Sequence, residues 1–140
     1  IQGIPMLDYH GNIGLQYNPI AIAQYGLGNY NLYLDSNDVH RLNKFYAAAD
    51  WLVEHLEPNQ KGVYVWQHYF DFEYRDTLKS PWYAGLAQGM GLSILSRAYK
   101  NSGKQVYLDT HQKAWVSMIK TIEDGGVIDI DKAGNYWIIL

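Results

Sequence analysis

Four stretches of the chain place apolar residues at helical spacing, and they fall into two pairs. From Asp38 to Glu57, Val39, Leu42, Tyr46, Ala49, Val53 and Leu56 recur at steps of three and four, with Arg41, Lys44, Asp50 and Glu54 elsewhere. The pattern predicts an amphipathic helix with one buried stripe. A second such helix is predicted from about Lys104 to Asp124, through Tyr107, His111, Ala114, Trp115, Met118 and Ile122. Each follows a segment of different character. Ser80 to about Lys100 carries Leu86, Met90, Leu92, Ile94, Leu95 and Ala98 around most of its circumference, the pattern of a helix enclosed by others. Ser80-Pro81 reads as an N-cap followed by proline at the first helical position, and Gly103 as the stop. Asn18-Pro19 repeats the cap-plus-proline device ahead of Ile20, Ala21, Ile22, Ala23, Gln24 and Tyr25, a segment running toward Tyr30 and weakened in its middle by Gly26 and Gly28.

Strand-like stretches separate the pairs. Gly62-Val63-Tyr64-Val65-Trp66 leads into Tyr69-Phe70-Asp71-Phe72. Gly126-Val127-Ile128-Asp129-Ile130 leads into Asn135-Tyr136-Trp137, a predicted hairpin turning at Asp131-Lys132-Ala133-Gly134. The two halves also match at one ungapped offset, with Ala23-Gln24 falling on Ala87-Gln88, Trp51 on Trp115 and Gly62-Val63 on Gly126-Val127. Enclosed helix, one-faced helix, Gly-Val strand is therefore a repeat unit. The predicted class is mainly α, a partial (α/α) toroid of two helical hairpins with short β-hairpins between them. Two hairpins cannot close a ring. Residues 1–140 are therefore expected to be a single domain that is an incomplete part of a larger toroid. An open arc leaves apolar surface uncovered, so further toroid segments or self-association as a homo-oligomer are expected to cover it.

Composition narrows the chemistry. The chain has 13 Tyr and 5 Trp against 3 Phe, and these amphipathic rings suit sugar clefts as well as helical cores. Its formal net charge of −3 gives no nucleic-acid or acidic-membrane footprint, so a polyanionic ligand needs a local basic patch. With no cysteine there are no disulfides or thiolate metal sites, and the compartment stays open. His10, His40, His55, His68 and His111 show no metal-ligand spacing, and no phosphate loop, GxSxG or cofactor motif is present. No apolar run is long enough for a transmembrane segment. The first residue, Ile1, leaves any targeting segment undecided.

Candidate binding residues cluster at the starts of the two enclosed helices. Trp82 and Tyr83 stand near a helix N-terminus, where free N–H groups and the helix dipole favour a carboxylate, or else they plug the end of the helix layer. Tyr17 and Tyr25 flank the corresponding point of the first pair. Gln24 and Gln88 are related by the repeat and expected inside the helix layer, where each amide either cross-links the ring or reaches into a cleft. Asp71, Glu73, Arg75 and Asp76 form a charged loop ahead of the Trp82-Tyr83 pair. Asp71 and Glu73 stand too close on one strand face for most paired-carboxylate glycosidase schemes.

Two segments, YNPIAIAQYGLGNY at Tyr17–Tyr30 and SPWYAGLAQGMGLSILSRAY at Ser80–Tyr99, resemble the best-marked segments of the D-glucuronyl C5-epimerase C-terminal domain family. Their order and the intervening helix agree, and the resemblance runs from about Asp8 to Trp137. It implies inversion of C5 in glucuronic acid within a heparosan- or heparan-type uronic-acid polysaccharide. Tyr17, Gln24, Tyr25, Trp82, Tyr83 and Gln88 are expected to line one side of the substrate groove, and no cofactor or metal is expected. The family's Glu-Glu-Tyr-Pro segment is expected beyond Leu140, so no residue here receives a catalytic role and this stretch is expected to be inactive alone. Two further readings stay open: a non-catalytic glycan-binding or scaffold module, and an α/α-toroid polysaccharide lyase or unsaturated uronyl hydrolase.

Overall fold

A computed structural model describes residues 3–140. Helix α1 (Pro19–Ser36) starts where Asn18, in an extended conformation, accepts from the N–H groups of Ile20 and Ala21 at 2.8 and 3.3 Å. It ends at Asn37, whose left-handed backbone returns an N–H to the Tyr33 carbonyl at 2.7 Å. Asp38 then caps α2 (Val39–His55) by accepting from His40 N–H. With so short a link α2 folds back on α1, bringing the rings of Tyr30 and Phe45 to 4.5 Å. The second pair is α3 (Gly85–Ser102), stopped by Gly103 at φ 69°, and α4 (Gln105–Trp115).

The pairs pack side by side through α1 and α3, and α2 also touches both α3 and α4. Their shared core includes Ile22, Phe45, Leu52, Trp66, Ile94, Leu95 and Tyr107, all fully or almost fully buried. The Tyr107 hydroxyl donates to the Asp50 carboxylate at 2.6 Å, tying α4 to α2.

Among the described residues, four two-stranded antiparallel ribbons sit at the helix ends. β1 (Leu7–Asp8) pairs with β2 (Leu15–Gln16), β3 (Leu56–Pro58) with β4 (Tyr64–Trp66), β5 (Phe72–Glu73) with β6 (Thr77–Leu78), and β7 (Ile128–Ile130) with β8 (Tyr136–Ile138). The last turns where the sequence predicts. There the Asp131 carboxylate accepts from the N–H groups of Ala133 and Asn135 and from the Asn135 amide and Trp137 indole, which holds its pKa well below the usual carboxylate range.

The mainly α class with short ribbons is as expected, but three boundaries and one burial differ. Helix α3 begins at Gly85 rather than Ser80, because Trp82 is extended and exchanges both backbone hydrogen bonds with His68. Ser80-Pro81 is therefore not a helix start. Helix α2 stops at His55, since Leu56, which fits the apolar stripe, pairs with Trp66 instead. Helix α4 ends at Trp115 and gives way to 3-10 turns at Val116–Ile119 and Ile122–Asp124. The carbonyls of Ser117 and Thr121 accept from Val127 and Gly126, which turns the chain back. Helix α1 buries only one face, leaving Leu32, Leu34 and Gln24 exposed.

Candidate functional site

The N-terminal end of α1 and the C-terminal end of α2 frame a cleft of about 230 Å³. Tyr17 forms one side, because the Asn18 cap fixes the residue before it and Pro19 is buried beneath. Its ring centroid lies 5.8 Å from that of Trp51. His55, one turn along α2, stacks on Trp51 with centroids 3.9 Å apart and directs Nδ1 to the Trp51 carbonyl at 2.7 Å. The opposite side comes from β3 and the chain after β4: Glu57, Trp66, Gln67 and Tyr69. The Tyr69 hydroxyl donates to Glu57. Glu54 completes an acidic rim, and among the described residues no lysine or arginine lines the cleft.

Trp82 and Tyr83 lie in a second depression of about 270 Å³, with Pro81, Ile122, Val127 and Ile139. The Trp82 indole N–H donates to the Phe70 carbonyl at 2.7 Å, and its ring stacks on the buried imidazole of His68. Burial pushes the Tyr83 phenol above the usual tyrosine range, opposed by a side-chain hydrogen bond to Asn59. The two depressions do not share a lining residue. They are joined by a chain of aromatic contacts: Asn18 donates through its side-chain amide to the Tyr9 hydroxyl at 2.7 Å, Tyr9 packs on Phe70, and Phe70 meets Trp82 edge to face.

The helix starts are less open to an anion than the sequence suggests. At α1 the Asn18 side chain takes two N–H groups, and at α3 the Gly85 N–H donates to the Ile139 carbonyl at 2.7 Å.

The repeat-related amides part company. Gln88 is fully buried, with Oε1 accepting from Trp66 N–H at 2.9 Å and Nε2 donating to the Tyr64 carbonyl at 3.3 Å and Ser117 Oγ at 2.8 Å. It is a cross-link between helix and ribbon. Gln24 is exposed. Counting back 64 residues from Trp66 gives Gln2, outside the described residues, so the strand that satisfies Gln88 has no described counterpart beside Gln24. Tyr25 packs half-buried against the core and lines neither depression.

Trp51, Glu57, Gln67 and Tyr69 are cleft residues that the sequence pattern did not single out as a site. Trp51 is visible in the repeat, where its partner Trp115 is exposed on the outer helix. The others come from a ribbon and the loop after it, where no periodicity signals a shared wall.

The charged loop is solvated. Asp71 pairs with Lys79 at 2.8 Å and accepts from Ser80 N–H, which lowers the Asp71 pKa and raises that of Lys79. Among the described residues no three His, Asp or Glu side chains are grouped to hold a metal ion, and no helix is long and apolar enough to cross a membrane.

An aromatic cleft with acceptors on its rim, beside a second aromatic depression, is suited to gripping sugar rings. The protein named D-glucuronyl C5-epimerase from Caenorhabditis elegans is 37% identical over 93 residues, covering 66% of this chain and 15% of that protein. The chain thus spans a small part of that relative's length. Residues 59–139, which include Gln67, Tyr69, Trp82, Tyr83 and the Gln88 cross-link, match the family model described as D-glucuronyl C5-epimerase C-terminus. That match takes in more than half of the sequence and both helices of the second pair, so the chain belongs to the D-glucuronyl C5-epimerase C-terminus family.

Proposed function

We propose that this chain is one part of an (α/α)-toroid uronate C5-epimerase and forms a wall of its sugar groove. The enzyme inverts C5 of glucuronic acid within a heparosan- or heparan-type polysaccharide. Membership of the family is the observation that carries this reading. The C5 proton is only weakly acidic, being alpha to a carboxylate. Its removal needs a cation or hydrogen-bond donors to hold the carboxylate, a base on one face and an acid on the other. The C–H electron pair moves into the carboxylate as an enolate, and a proton returned to the opposite face restores the C–H bond inverted.

In this reading the 140 residues grip the polymer through Tyr17, Trp82 and Tyr83, while Gln88 holds the wall rigid. Proton transfer falls to groups outside this stretch, in keeping with its covering 15% of its relative.

Incubation with heparosan in heavy water tests the assignment. The longer protein that carries this sequence should place deuterium at C5, and these 140 residues alone should place none. A longer protein that binds the polymer without exchange is a glycan-binding module. Ultraviolet-absorbing unsaturated products identify a lyase, since elimination leaves a conjugated double bond.

A further inference from the structure

We infer that the cleft between Tyr17 and Tyr69 takes a neutral, hydroxyl-bearing sugar residue of the polymer and not the uronate itself. The inference rests on the reading above that this stretch grips the polymer, and it gives that glycan-binding role a specific subsite. Two buried polar atoms in residues lining this cleft have no partner among the described residues: the indole N–H of Trp51 and the side-chain oxygen of Gln67. Buried polar groups are nearly always paired, so each of these atoms calls for a partner that the described residues do not supply. One is a donor and the other an acceptor. A sugar presents several hydroxyls, each able to accept from an indole N–H or donate to an amide oxygen.

A carboxylate fits poorly. It has no hydrogen to offer Gln67, and it would join Glu54 and Glu57 in a cleft that no described lysine or arginine lines. The same two carboxylates accept well from sugar hydroxyls. The exposed Tyr69 and half-buried Tyr17 supply the apolar faces on which a pyranose ring packs. The volume of about 230 Å³ is enough for one such ring, with the rest of the polymer outside.

The test is nuclear magnetic resonance of the indole N–H signals, with Trp51→Phe identifying the Trp51 signal. The probes are a heparosan hexasaccharide and the same hexasaccharide with every carboxylate reduced to a hydroxymethyl group. Both should displace the Trp51 signal at saturation. Gln67→Ala should weaken the reduced form about fivefold or more, the loss of one hydrogen bond. Displacement by the carboxylate form alone overturns the inference. A fixed Trp51 signal while other signals move overturns it too, and leaves the glycan-binding reading standing. If neither probe moves any signal, both readings fail together.

Discussion

The imidazole of His68 lies flat on the indole of Trp82, with ring centroids 3.8 Å apart and planes within 4°. Its Nδ1 approaches the Trp82 carbonyl at 3.2 Å, while its buried Nε2 has no partner among the described residues. Burial lowers its pKa to about 4, against the raising effect of the hydrogen bond to Trp82. The folded state therefore holds His68 neutral, and between pH 6.5 and 4 the unfolded chain binds more protons. The stabilisation is complete above pH 6.5 and is lost as pH falls through 4. At pH 5 the loss from this one group is about 2 kcal/mol. Urea unfolding at pH 7.5 and 5.0 should show that difference between the native protein and His68→Phe, which keeps a planar ring on Trp82. Parallel pH dependence in the two would rule His68 out as the cause.

Gln88 and Gln24 occupy equivalent positions in the repeat yet should respond very differently to truncation. Gln88→Ala removes the acceptor for Trp66 N–H and a donor to Ser117, and opens a hole in a fully buried site. An orphaned buried donor plus a cavity costs about 2–4 kcal/mol. Gln24→Ala touches an exposed side chain and should change stability by about 0.5 kcal/mol or less. Denaturant midpoints of the two variants decide the matter, and equal losses would contradict the asymmetry of the fold.

The same comparison shows what the sequence makes legible. Caps are local: Asn18-Pro19 and Gly103 bound helices as their residue types dictate, because the groups that satisfy the helix end lie within a few residues. Ser80-Pro81 has the same local look and fails. The backbone of Trp82 is claimed by His68, fourteen positions earlier, and nothing near Ser80 encodes that pairing. Leu56 likewise continues the apolar stripe of α2, but Trp66 takes it into a ribbon. The site follows this division. Tyr17 is found because it sits beside a cap, whereas Gln67 and Tyr69 join it only through the β3–β4 register, which no periodicity in the loop announces.

The two glycines in α1 weaken it by different amounts. A Cβ on Gly26 would stand 2.8 Å from the Ala48 Cβ and overlap the Ile94 δ-methyl. Gly26 is thus the notch through which α1 approaches both α2 and α3, and Gly26→Ala should cost about 1–3 kcal/mol through overpacking. Gly28 has nothing within 4 Å of that position. Gly28→Ala should stabilise by about 0.5–1 kcal/mol, a rise of about 2–4 °C in Tm, since alanine loses less backbone freedom in a helix. Thermal unfolding should move the two variants in opposite directions. A shared direction would mean that helix propensity or crowding alone governs α1.

Gly85 marks where the chain's last residues lie over the start of α3. Its N–H donates to the Ile139 carbonyl, and Ile139 N–H in turn donates to the Val127 carbonyl at 2.9 Å. A Cβ at Gly85 would meet the Ile139 oxygen and the Ile138 γ-methyl, each at 2.5 Å. A backbone oxygen cannot rotate out of the way as a side-chain end can, so Gly85→Ala should lift residues 138–140 from the helix. Helix α3 itself should persist, because alanine is the better helix former and its cap at Gly103 is remote. Hydrogen exchange at the Ile139 amide should then speed up at least tenfold, while the Leu95 and Ala98 amides keep their protection. Unchanged exchange at Ile139 would show that the contact yields by a small shift of the ribbon. Uniform acceleration along α3 would instead mean that the terminal segment holds the helix in place.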